Sequence, residues 1–204
     1  MQSERAKVRM IKSEVLSDDW YSLKKYTFDY PRRDGEWQRQ SREVYDRGNG
    51  AAILLYNLAR QTLILTRQFR CPLWVNGHSG LLLEVPAGLL DNEAPEVRIK
   101  AEAEEETGYR IEQVQKVFEA FMSPGSVTEK LHFFIAEYDA SLRAGSGGGI
   151  RDEGEDIEVV EMAWADALNA IENGEITDAK TIMLIQYVAL KGIMRGSSCT
   201  HSSF

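Results

Sequence analysis

Only two of the 204 residues are cysteine, Cys71 and Cys199, and the second sits in a polar tail. Two such cysteines make no disulfide framework. Histidine is as sparse: His78, His132 and His201 are scattered, so they form no zinc constellation. His132, inside an apolar run, reads as a packed side chain. Cys71 reads as a buried small residue rather than a nucleophile, because no Cys–His pair accompanies it. No stretch reaches the length of a membrane span, and "MQSERAKVRM" lacks the apolar centre of a signal peptide. A soluble, reducing, cytoplasmic setting is the default expectation. Basic residues are also short, 24 against 32 acidic, for a net charge of -8. That balance argues against nucleic-acid and anionic-membrane binding. It leaves room for a small phosphorylated ligand, which an acidic site reaches through divalent cations. No internal repeat is present.

What the chain does have is an ordinary globular composition, 43% hydrophobic and 27% charged, enough for one core and an added segment. Residues 1 to about 45 are rich in strand formers, with Leu23, Tyr26, Phe28 and Tyr30 near alternation and Asp34-Gly35 as a hairpin turn. Apolar residues are few for that length, so this segment needs a surface to pack on, either the main domain or a second subunit. Ala51–Tyr56 and Thr62–Thr66 read as a hairpin, and "GLLLEV" as a third strand. A loop "PAGLLDNE" leads to a helix from Pro95 to Thr107, with Asn92 as a possible cap and Gly108 as its stop. "VQKVFEAF" and "KLHFFIAEY" are strands around "SPGSVTE", "RAGSGGGIRDEGED" is a mobile loop, and "IEVVEMAWA" is a last strand. Helices follow over 166–172 and from Asp178 to about Met194, the second with an apolar stripe of Ile182, Ile185, Val188 and Ala189. The tail 196–204 reads as disordered. Strands flanking a central helix, with helices at the end, predict a layered α/β or α+β domain.

The acidic run "EAEEETG" closes the central helix. With Glu102 set at zero, Glu106 falls at about 40° and Glu105 at about 300°, while Glu104 falls at about 200°. Three carboxylates on one face repel one another, and a hard divalent cation with oxygen ligands, above all Mg2+, relieves that repulsion. Glu104 is left as a solvent residue.

"GLLDNEAPEVRIKAEAEEETGY" resembles the Nudix box, G-x5-E-x7-R-E-U-x-E-E-x-G-U, where U is a bulky aliphatic residue. Its glutamates land on Glu93, Glu102, Glu105 and Glu106. The opening Gly falls on Ala87, one residue before Gly88, and the box Arg falls on Ala101. Arg98, on the same face at about 320°, stands ready for that Arg's part in holding the glutamates. The "PAG" loop, "SPGSVTE" and "HFFIAEY" resemble the nucleoside-diphosphate-sugar branch of Nudix hydrolases. "GGG" with "EDIEV", "REVYDRGNGA" and "RQFR" look like its GDP-mannose hydrolase subgroup. The resemblance covers nearly the whole chain apart from the last ten or so residues.

The resemblance implies an α/β Nudix fold, a mixed β-sheet layered between helices as an α-β-α sandwich, over residues 46–195. The N-terminal β segment would serve dimerisation and reach a partner's substrate. It implies Mg2+-dependent hydrolysis of a nucleotide-sugar pyrophosphate, GDP-mannose first, with ADP-ribose or ADP-glucose as the alternative. A catalytically inactive nucleotide-sugar sensor on the same fold is an alternative of another class. The implied metal ligands are the Ala87 carbonyl, Glu102, Glu106 and Glu155. Glu155 and Glu105 are the implied catalytic carboxylates, with Glu153 also open as the loop carboxylate; Glu155 is chosen because it directly precedes "DIEV". Implied substrate contacts are Trp20, Arg42, Glu43, Arg70, Ala87, Gly88, Leu89, Glu106, Glu129, Glu155 and Lys180. The two arginines suit phosphates through bidentate pairing, and Trp20 suits a nucleobase.

Overall fold

The computed structural model describes residues 7–195. The tail expected to be disordered, with Cys199 and His201, lies outside the described residues. The chain divides into two compact units: the chain through Asn49 with Ala120–Leu131, and Gly50–Glu119 with the chain from His132.

In the first unit β1 (Arg9–Asp18), β2 (Ser22–Pro31) and β3 (Trp37–Asp46) form an antiparallel sheet in that order. The turn falls at Asp34-Gly35, where Gly35 takes φ +90° and its N–H reaches the Arg32 carbonyl at 3.1 Å. β2 and β3 pair without a slip, from Ser22 opposite Asp46 to Pro31 opposite Trp37. Asp29 and Arg39 face each other across them in a two-pronged ion pair of 3.0 and 3.2 Å. Residues 120–131, the tip of a later hairpin, join this unit through Tyr45, whose N–H donates to Ser126 and whose carbonyl accepts from Thr128.

The second unit is built on a sheet of order β10-β5-β4-β9-β8, with β6 added to β5 and β7 to β4. These strands are β4 (Gly50–Asn57), β5 (Thr62–Phe69), β6 (Leu81–Glu84), β7 (Ala87–Leu89), β8 (Gln115–Phe121), β9 (Lys130–Glu137) and β10 (Glu158–Ala163). β9 runs in the same direction as β4: the Lys130 N–H meets Asn49 at the start of both, and the Tyr138 N–H meets Tyr56 at the end. β4 pairs antiparallel with β5 and β7, and β5 pairs antiparallel with β6 and β10, so the sheet is mixed. Alternation along the strands feeds two layers. Ala51, Ile53, Leu55, Phe134 and Ala136 pack with Ile99 and Ala103 of α2 (Pro95–Thr107). On the other face Phe133 stacks with Phe118, and Phe118 meets Tyr187 of α4 (Ala179–Lys191). This is the expected helix–sheet–helix sandwich. Burying each such Leu, Ile or Phe contributes about 1.5–3 kcal/mol.

Several local expectations shift. Between β5 and β6 the chain makes a short helix, α1 (Cys71–Val75), begun by Pro72, which leaves Cys71 exposed rather than buried. The "PAG" loop is a strand, β7, because it finds a free edge on β4. Asn92 does not cap α2. It takes φ +71°, and Ala94 stands at the N-cap with Pro95 following. α3 (Trp164–Glu172) and α4 form as expected, but the stripe of α4 turns by one residue: Thr181, Leu184, Ile185 and Val188 are buried, while Ile182 and Ala189 are half-buried. His132 is buried in β9, as expected.

Candidate metal and phosphate site

Ile99 and Ala103 pin one side of α2 into the core, and this turns the adjoining side, Glu102 and Glu106, under the rest of the unit. Gly108 ends the helix in the left-handed region at φ +78°. β7 crosses directly over the glutamate face. A Cβ on Gly88 would lie 2.8 Å from Glu102 Cγ and still closer to its Cδ and Oε1, so any side chain there would displace the Glu102 carboxylate. Glu104 points away and pairs with Arg110 on the surface. The helical projection therefore holds, with Glu105 the more exposed member of the inward set.

Arg98 occupies the place left by Ala101. Its Nη2 stands 2.5 Å from Glu102 Oε1 and 3.5 Å from Glu105 Oε2. Even so, burial raises the Glu102 pKa to about 7, with Arg98 opposing and Glu105 and Glu155 adding to the rise. Glu106 is 1% exposed, and its Oε2 is buried with no hydrogen-bond partner among the described residues. Burial first, then Glu102, Glu84 and Glu155, holds this carboxyl well above the usual range.

The glycine-rich loop is seated on the end of α2. The N–H groups of Gly148 and Gly149 donate to the Glu106 and Glu105 carbonyls (3.0 and 3.1 Å), which the end of α2 would otherwise leave unsatisfied. A Cβ on Gly147 would meet the Glu106 carbonyl oxygen at 2.5 Å, so glycine is what permits the seat. Beyond this seat the Ile150 N–H donates to Glu155 Oε2 at 2.8 Å. Glu155 is half-buried and close enough to act on Glu102 and Glu106, whereas Glu153 is exposed.

Beside the glutamates lies a charge cluster around Glu84, a residue that the sequence reading passed over. Glu84 is 1% exposed. Its Oε1 receives Arg70 Nε at 2.6 Å and its Oε2 receives Lys180 Nζ; Lys180 also meets Asp178 at 2.9 Å. Burial pushes the Glu84 carboxyl up, but Lys180 and Arg70 outweigh it and hold it below its ordinary value. A signal did exist: "LLLEVP" places one acid in an apolar run, and a buried charge requires partners.

Thus the second unit gathers Arg70, Ala87, Gly88, Leu89, Glu102, Glu105, Glu106, Glu155 and Lys180. Ala87, Gly88 and Leu89 form β7 itself. Trp20, Arg42, Glu43 and Glu129 belong to the first unit. There Trp20 is 81% exposed between β1 and β2, and Glu43 lies opposite Lys25. Arg42 bonds the Ser41 carbonyl and Gln40, and Glu129 faces Arg47 at 3.5 Å.

Residues 46–184 match the NUDIX domain, and residues 7–45 match the GDP-mannose pyrophosphatase NudK N-terminal domain. The chain belongs to the Nudix family. Among Nudix relatives, it is 52% identical to a GDP-mannose pyrophosphatase of Klebsiella pneumoniae over 94% of this chain and 96% of that one. It is 56% identical to one of Pectobacterium atrosepticum, over 91% and 95%. A crystal structure of an ADP compounds hydrolase superposes with a TM-score of 0.69 over 95% of this chain and 99% of that one; at 18% identity the likeness is one of fold.

The Nudix glutamates fit a hard divalent cation by their chemistry. Among the described residues no three His, Cys, Asp or Glu side chains stand as a preformed metal cluster. The fit rests instead on the donorless buried Oε2 of Glu106, on the neighbouring carboxylates of Glu102 and Glu155, and on the cleared backbone at Gly88. Among the described residues no helix is long and apolar enough to cross a membrane.

Proposed function

We propose that this Nudix hydrolase cleaves the pyrophosphate of a nucleotide sugar, GDP-mannose to GMP and mannose 1-phosphate, with Mg2+, in the cytoplasm. The observation that carries the reading is the buried, unpartnered carboxylate of Glu106 beside Glu102 and Glu155, with Arg70 on its border. The names and near-complete coverage of the relatives support GDP-mannose as the substrate. Glu102, Glu106, Glu155 and the Ala87 carbonyl would hold the cation, which would supply charge neutralisation and acidify the attacking water. Glu155 accepts the proton of the attacking water, and Glu105 supports the set through Arg98. Arg70 and Lys180 bind phosphate oxygens, aligned by Gly88 and Leu89 along β7.

Trp20, Arg42, Glu43 and Glu129 recognise the nucleoside and sugar, and the protein works as a homodimer. Within the first unit Met10, Ile11, Val15 and Leu16 of β1 stay exposed, an apolar surface that a second copy would cover. Sedimentation of a monomer at micromolar concentration would remove that part of the reading. A panel of GDP-mannose, ADP-ribose and ADP-glucose with Mg2+ tests the substrate. Preference for an adenine nucleotide would displace GDP-mannose. Tight binding without turnover would favour a sensor.

A further inference from the structure

We propose that Glu84 is a positioning residue: it holds the Arg70 guanidinium and the Lys180 ammonium together so that both present their remaining donors to one pyrophosphate. The inference rests on the hydrolase reading above, and it assigns a part to a residue outside the glutamate helix. Each oxygen of Glu84 meets a different cation. Arg70 spends only Nε on this contact. Its two outer nitrogens make no hydrogen bond among the described residues, and the side chain is 39% exposed. A guanidinium fixed at Nε still offers a fork for a phosphate. Lys180 uses two of its three protons, on Glu84 and Asp178. Without Glu84 the two cations would repel each other, and the long arginine side chain would lose its fixed rotamer. Arg70 and Glu84 also both act electrostatically on Glu106, so the cluster borders the proposed cation site.

A purely structural role explains this arrangement poorly. Replacing a buried ion pair with apolar side chains is often neutral or stabilising. The join between β6 and α4 also has its own ties: the Val85 N–H donates to Thr181 Oγ1 at 2.8 Å, and Asp178 caps α4 through the Thr181 N–H at 3.0 Å. The backbone at both ends is therefore secured without Glu84.

The test compares Glu84→Gln, Glu84→Asp, Arg70→Ala and the double variant Glu84→Gln/Arg70→Ala, in kinetics with Mg2+ and in calorimetric titration with inorganic pyrophosphate, which needs no turnover. Glu84→Gln should raise KM at least about tenfold with kcat changed less than about threefold. Glu84→Asp, which keeps the charge on a shorter arm, should recover part of that loss. The double variant should be no worse than the poorer single one, because the two residues act as a unit. If Glu84→Gln fails to fold, Glu84→Asp alone carries the test through a raised KM and weaker pyrophosphate binding. Wild-type KM in either folded variant, or single effects that multiply, overturns the proposal while leaving the hydrolase reading intact. A wild-type protein whose pyrophosphate binding depends on Glu84 as expected, but which hydrolyses no nucleotide sugar, sinks the hydrolase reading alone. A wild-type protein that does neither sinks both.

Discussion

Glu106→Gln should make the metal-free protein more stable and the enzyme inactive. Glu106 is 1% exposed, its Oε2 has no donor, and burial and three neighbouring carboxylates raise its pKa well above 4.5. The sign follows from proton binding. Below the unfolded value both states carry the proton. Above it the unfolded chain ionises while the folded carboxyl keeps its proton, so stability falls as pH rises toward the folded pKa. The slope reaches about 1.4 kcal/mol per pH unit for one group. Glutamine keeps the shape and removes this loss. Its advantage over wild type should therefore grow between pH 6 and pH 8, by no more than about 1.4 kcal/mol per pH unit, or roughly 3–6 °C in Tm per unit for a chain of this size.

Thermal unfolding in EDTA at the two pH values measures the gain. With Mg2+ at a hundred times its Kd the variant's advantage should shrink or vanish, because wild type alone gains about 2.7 kcal/mol from binding. Turnover should fall by several orders of magnitude. A Glu106→Gln protein less stable than wild type in EDTA at pH 8, or equally affected by pH and Mg2+, would refute the assignment of Glu106 as a buried carboxylate kept for a cation.

Gly88→Ala should cut turnover at least about a hundredfold, because its Cβ drives the Glu102 carboxylate out of place; a variant with wild-type kcat/KM would show that β7 has room to give. Arg98→Ala should weaken Mg2+ affinity about tenfold, with much of kcat returning at saturating metal; an unchanged metal titration counts against it. Glu155→Gln should lower kcat by about a hundredfold or more, while Glu153→Gln, at an exposed site, stays within about twofold; the opposite ranking would move the loop carboxylate to Glu153.

The sheet and its helices were legible because strand alternation, Pro95, Gly108 and the Asp34-Gly35 turn act locally. What was missed depends on distant partners. β7 is a strand only because β4 has a free edge for it. The glycine-rich loop is seated on α2 because the carbonyls at the end of that helix need donors, and a loop's composition cannot tell whether such acceptors stand nearby. Glu84 escaped notice because its cations come from residues 70 and 180, far apart in sequence and joined only by the fold.

The box arginine shows the same division between text and geometry. A motif fixes that residue at position 101, at about 260° on the helix when Glu102 is zero. The structure needs only a cation within reach of Glu102 and Glu105, and Arg98, one turn earlier at about 320°, is closer to their shared face. A change from arginine to alanine in the motif therefore removes a letter and leaves the ion pair. For the same reason the missing letter gives no support to an inactive sensor. The charge that restrains the two glutamates is present, and Glu102 is already held against the strand that Gly88 brings over it.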